Sequence, residues 1–167
     1  MSLSLPVSLW SLMDNFFVTM ITAWCAKYTE LDGARVVIGD SYNPGAIDFP
    51  FVLIRSTERK LIEAEPEFGD GNFHLDGIYY PYEFVVAGVF VDLSAAKNFA
   101  ANVAASLSFE IADNIGPLGE LISADGEGVQ LFELDDGELY ANGMAGQQPE
   151  GMFTGSGCVR IRVYTKR

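Results

Sequence analysis

Ile78-Tyr79-Tyr80-Pro81-Tyr82-Glu83-Phe84-Val85-Val86-Ala87-Gly88-Val89-Phe90-Val91-Asp92 is the longest strand-forming run in the chain, and its reading decides the fold. Aromatic and β-branched residues dominate it, as a pleated surface requires. Its second half lacks polar alternation, which predicts burial on both faces. Pro81 cannot donate a ladder bond, so it marks an edge, a bulge or the start of the strand. The run leads directly into a helix over 94–114, with Ser94 as the expected N-cap. Phe99, Val103, Leu107 and Ile111 form the apolar ridge of that helix. Ala95, Ala96, Ala100, Ala101, Ala104 and Ala105 leave little bulk around the ridge, so the helix can lie close against a sheet.

The flanking segments extend this pattern in both directions. On the N-terminal side, Leu9, Met13, Phe16, Met20 and Trp24 recur at helical spacing and predict a helix over 8–28. Trp10, Phe17, Val18 and Ile21 widen the stripe, so part of this helix is expected to meet a neighbouring subunit. Ala34–Gly39 and Phe51–Arg55 read as strands, with a turn at Ser41–Gly45. Ser56–Gly77 is acidic and reads as an irregular hairpin or a long mobile loop. On the C-terminal side, Gly116-Pro117 is expected to stop the second helix. Val129–Leu134 reads as a strand, Asp136-Gly137 as a hairpin turn, and Glu138–Ala141 as the returning strand. Residues 142–157 hold five glycines and read as a flexible connection. Cys158–Tyr164 alternates, with Val159, Ile161 and Val163 on one face and Arg160, Arg162 and Tyr164 on the other. The expected fold class is α+β: one domain over 1–167, a mostly antiparallel β-sheet, and two helices packed on one face. The other face, bearing Arg160 and Arg162, is expected to be free for water or a partner.

Size and composition agree with a single core. The chain has 167 residues, about half of them hydrophobic, and a formal net charge of −13. From Leu61 to Gly157 there are 17 acidic side chains and one base, Lys97. The last ten residues carry Arg160, Arg162, Lys166 and Arg167 and no acid. So acidic a body repels phosphate and disfavours wrapping of nucleic acid. Cys25 and Cys158 read as buried thiols. No base precedes the apolar N-terminal run and no stretch is long enough to span a membrane, so a soluble, intracellular protein is expected.

Catalytic patterns are not found. His74, the one histidine, sits in a loop with no nucleophile elbow around it. Glu133, Asp135, Asp136 and Glu138 form a carboxylate cluster without calcium-loop spacing, as does the Asp125–Gly128 segment, and both read as solvated turns. Zinc spacing, a phosphate loop and a dinucleotide fingerprint are absent. No cofactor or metal is expected.

The order of elements resembles the tail terminator proteins of long-tailed bacteriophages, also called tail-completion or tail-to-head joining proteins. The resemblance runs from Ser8 to Tyr164. It is carried by the N-terminal helix, by Asp48-Phe49-Pro50-Phe51-Val52-Leu53-Ile54, and by Tyr82–Val91 leading into the helix at Ser94. Gly151-Met152-Phe153-Thr154 and Val159–Tyr164 complete it. The loops at 56–77 and 142–157 are longer than in compact members. The resemblance implies a virion protein, assembled in the host cytoplasm, that forms a ring, commonly of six subunits. Such a ring caps the tail tube, stops its polymerisation and offers a surface to the head-completion protein. DNA passes through the lumen without specific binding. The candidate subunit or tube interface comprises Arg160, Arg162, Glu133, Asp135, Asp136, Glu138, Glu63, Glu65 and Glu67. The basic edge is expected to pair with acids of the adjacent subunit. A neck or head-completion ring is the nearest alternative. A small-molecule-binding or enzymatic α+β domain is a second, with a pocket between helix 94–114 and the sheet, lined by Tyr79, Tyr80 and Tyr82. An apolar cavity near titratable groups belongs to that reading, whereas a terminator ring predicts none.

Overall fold

The decisive run forms the central strand of the computed structural model, which describes residues 9–39, 49–56, 60–63, 75–124, 128–135, 139–141 and 152–166. The elements in chain order are α1 (Leu9–Cys25), β1 (Arg35–Ile38), β2 (Phe51–Ser56), β3 (Lys60–Glu63) and β4 (Leu75–Phe90). After them come α2 (Leu93–Asp113), α3 (Ile115–Ala124), β5 (Gly128–Asp135), β6 (Leu139–Ala141) and β7 (Phe153–Lys166). A short 3₁₀ turn, Thr29–Leu31, follows α1. The fold is α+β, and its sheet is mostly antiparallel.

The sheet has the order β1-β2-β4-β7-β5, with β3 on β4 and β6 on β7. β4 and β7 pair antiparallel from Gly77↔Lys166 to Phe90↔Phe153 and form the spine. The β1–β2 pair alone is parallel among the described strands. β2 and β3 lie end to end along one edge of β4. Ser56 faces Tyr82 and Lys60 faces Tyr79, so Pro81 falls where the pairing passes from one strand to the other. A residue with no N–H is tolerated at such a break.

β5 and β6 are likewise collinear. Both run antiparallel to β7, with Asp135 facing Arg160 and Leu139 facing Gly157. The expected hairpin is therefore not formed: β5 and β6 both pair with the same edge of β7 and not with each other, and Asp136-Gly137 lies outside the described residues. The 56–77 segment resolves in part into β3 paired with the start of β4, as the hairpin alternative has it.

The second helix ends at Asp113 with Asn114 as its C-cap, ahead of Gly116-Pro117 as expected, but helical structure resumes at once: Pro117 lies in the first turn of α3, where a missing N–H costs no helical bond. Two further expectations are corrected. The α2 N-cap is Asp92, whose carboxylate accepts from the Ser94 N–H at 2.9 Å, rather than Ser94 itself. The presumed loop 142–157 is also shorter, because β7 already begins at Phe153.

All three helices bury their apolar sides in one cluster on one face of the sheet. Met13, Phe17, Ile21 and Trp24 of α1, Val103, Leu107 and Ile111 of α2, and Leu118 of α3 meet Val52, Ile54, Tyr82, Phe84, Val86, Val159, Ile161 and Val163. The outer side of α1 carries exposed Ser11, Asn15, Thr19 and Thr22. Phe17 and Ile21, expected in part at a subunit contact, are 1% and 0% exposed and belong to the core. The opposite sheet face is not free along its length. Phe51, Leu53, Val85, Ala87 and Cys158 form a second buried cluster there, with Phe49 against it.

Candidate functional site

Charge on the second sheet face is organised in rows across the strands. Side chains two residues apart share a face, so Arg55 of β2, Glu83 of β4 and Arg160 of β7 stand beside the Phe51–Leu53 cluster. The Arg55 guanidinium binds Glu83 Oε1, and Arg160 Nε donates to Glu83 Oε2 at 2.8 Å. Asp135 of β5 is the next residue in register beyond Arg160. The row therefore reads plus, minus, plus, minus across four neighbouring strands. One row further, Arg162 stands between Pro81 and Glu133. Arg160 and Arg162 of the final strand thus stand in register with acids of their own chain. Arg160, expected to reach an adjacent subunit, is engaged by Glu83.

Glu83 is the hub of this arrangement. Its side chain is 13% exposed, against 40% and 42% for the two arginines. Glu83→Gln should leave two guanidinium groups close together without their shared counter-charge. The expected loss is roughly 1–2 kcal/mol, held down by the solvent on the arginine sides. Urea denaturation checks it, and added salt should recover part of the loss by screening the Arg55–Arg160 repulsion.

The other candidate interface residues divide by position. Glu133 and Asp135 lie on β5 and Glu63 on β3, at sheet edges. Asp136, Glu138, Glu65 and Glu67 lie outside the described residues, as do His74 and the Asp125–Glu127 segment. Among the described residues, no group of three or more His, Cys, Asp or Glu side chains is placed to hold a metal ion. No described helix is long and apolar enough to cross a membrane. Cys25 and Cys158 are free, buried thiols, and burial pushes the Cys25 thiol up to about 11. Such a thiol is a poor nucleophile.

A concavity lies elsewhere. A cavity of about 480 Å³ opens between the end of α1 with its following turn and the first half of α2. Trp24, Leu31 and Val103 are buried and form its floor; Phe90, Ala95, Phe99 and Ser106 are half-buried walls. Tyr28, Glu30, Asn98 and Asn102 are exposed and mark the mouth. Ser106 Oγ ties the two sides together: it accepts from Trp24 Nε1 at 3.1 Å and hydrogen-bonds the Tyr28 hydroxyl at 2.5 Å. Lys27 Nζ to Glu110 Oε2, at 2.9 Å, is a second bridge between the same elements.

The binding-domain alternative places its pocket between α2 and the sheet, and the reason for its displacement is steric. Gly155 and Gly157 of β7 lie under Ala96, Ala100 and Val103, so close that a Cβ would collide. That interface is closed. Tyr80 and Tyr82, expected to line a pocket, pack instead in tilted contacts against Trp10, with ring centroids 4.7 and 5.6 Å apart. Tyr82 donates its hydroxyl to Asp14 Oδ1 at 2.7 Å, and burial, reinforced by that bond, holds its pKa far above the usual phenol range. The cavity was not legible in the sequence, because its walls come from 24–31 and 90–106 and neither carries a motif. Glu30 and Tyr28 are its titratable groups, which meets one condition of the binding-domain reading. Among the described residues, no histidine, cysteine or lysine lines it. Neither a protein-family model nor a curated protein matches this chain.

Proposed function

We propose that this chain is a structural subunit of a virion, closing into a ring, commonly of six copies, at the head-proximal end of a long-tailed phage tail. The ring stops growth of the tail tube and presents the surface that the head-completion protein joins. The observation that carries this reading is the succession of elements. α1 precedes a strand entered through Phe49-Pro50, β4 runs through Phe90 into α2, and the closing strand β7 lies beside β4. That is the order on which the resemblance to tail terminators stands. The acidic body supports the reading as well, since a lumen lined by carboxylates repels a passing DNA backbone. Sheet edges carrying Glu63 and Glu133 and a basic final strand would suit a heterologous contact, which closes into a ring when the rotation permits.

Arg160 is half-buried against Glu83 whereas Arg162 is exposed, so Arg162 is the residue whose reversal disturbs the fold least. Arg162→Glu should lower the ring fraction about tenfold in low salt and less in high salt, read by native mass spectrometry. An unchanged ring population removes the charged-edge contact. The function itself is tested by electron microscopy of polymerising tail tubes with and without the full chain. A ring at one tube end and an arrested length are expected; tubes that elongate equally in both samples overturn the proposal. The cavity counts against the ring reading, which predicts none, and favours a second reading, a small-molecule-binding domain.

A further inference from the structure

We propose that the cavity between α1 and α2 binds a small organic cation, an ammonium head on an apolar or aromatic stem. The inference does not depend on the ring reading. At about 480 Å³ the cavity falls within the range of small-ligand sites. Trp24, Tyr28, Phe90 and Phe99 supply four aromatic rings to its lining. Aromatic faces are electron-rich and attract cations, most strongly where water is excluded. Glu30 at the mouth adds a formal negative charge. Asn98 and Asn102 stand one helical turn apart, where their carbonyl oxygens can accept from an ammonium.

The lining argues equally against an anion. Among the described residues it contains no Lys, Arg or His. The nearby Lys27 ammonium is held by Glu110. The start of α2, which would otherwise draw negative charge, is already capped by the Asp92 carboxylate. Ser106 fixes the Trp24 and Tyr28 rings in advance, so little ordering remains to oppose binding.

The test uses three probes that share one aromatic body: benzylammonium, benzyl alcohol and benzoate, at fixed ionic strength. The chain has two tryptophans, so Trp10→Phe leaves Trp24 as the sole indole reporter in the cavity floor. The indole N–H resonance of Trp24 in the unaltered chain gives a second readout if that variant fails to fold. Saturable perturbation of Trp24 by benzylammonium is expected, about tenfold tighter than by benzoate. Glu30→Gln should weaken benzylammonium several-fold and leave benzyl alcohol unchanged. No saturable response to any probe overturns the site. Equal affinity for all three, or a charge preference unaffected by Glu30→Gln, overturns the assignment of a cation.

Discussion

Gly155→Val is expected to destabilise the protein by about 3 kcal/mol, the upper range for forcing bulk into a packed interface. A Cβ at Gly155 would sit 2.4 Å from the Ala96 carbonyl oxygen, 3.0 Å from its carbonyl carbon and 3.1 Å from its Cα. All three are main-chain atoms of α2, so no rotamer change relieves the collision and the helix must lift from β7. At Gly157 the nearest atom is Val103 Cγ1 at 2.5 Å, a side chain that can turn, with backbone atoms of Ala100 and Ala104 at 3.1 and 3.2 Å. Gly157→Ala should therefore cost less than Gly155→Ala. Gly119 of α3 is the control, because a Cβ there meets nothing within 4 Å. Gly119→Ala should stabilise by up to about 1 kcal/mol through helix propensity. Urea midpoints at unchanged slope measure all four variants. A Gly155→Val protein as stable as the original would mean that α2 does not rest on β7. Lifting α2 would also move Ala95, Phe99 and Val103, and with them the cavity wall.

The same contact shows how far the sequence could be read. The alanines of α2 announce a helix that lies close to something, and the ridge of Val103, Leu107 and Ile111 faces the core as its spacing requires. What lies beneath was hidden, because Gly155 and Gly157 read as parts of a loop while they are strand residues kept small for the helix. β2, β4 and β7 were legible because alternation and β-branched content are local signals. Pairing is not local. Asp136-Gly137 suggests a hairpin from four residues of context, yet both flanking strands choose the same side of β7. The charge pattern failed to read for the same reason: Glu83 and Arg160 are 77 residues apart, and the −16 balance of 61–157 conceals that Arg55, Glu83, Arg160 and Asp135 stand in one row. α3 was obscured by a proline that a first turn accepts.

Phe17→Ala should remove roughly 3–5 kcal/mol, as deletion of a buried aromatic ring does where the surroundings cannot collapse. Phe17 is 1% exposed and joins α1 to β4. Its ring centroid lies 4.6 Å from that of Tyr82, 5.2 Å from that of Phe84 and 5.7 Å from that of Phe16. Phe16 is only partly buried, so Phe16→Ala should cost distinctly less. A spectroscopic consequence separates this from general loosening. Buried Tyr82, bonded to Asp14, keeps its proton in the folded chain well past the pH at which an ordinary phenol, near 10.0, releases it. The folded state then binds more protons than the unfolded state, so stability is intact below pH 10 and falls as pH rises beyond it. The slope from one such group is about 1.4 kcal/mol per pH unit. Opening a void beside Tyr82 admits water, lowers its pKa toward the ordinary range and flattens that alkaline slope. Alkaline difference absorbance should therefore show one additional tyrosine titrating early in Phe17→Ala and not in Phe16→Ala. Equal losses in the two variants, with identical alkaline profiles, would show that α1 is not seated on β4 through Phe17.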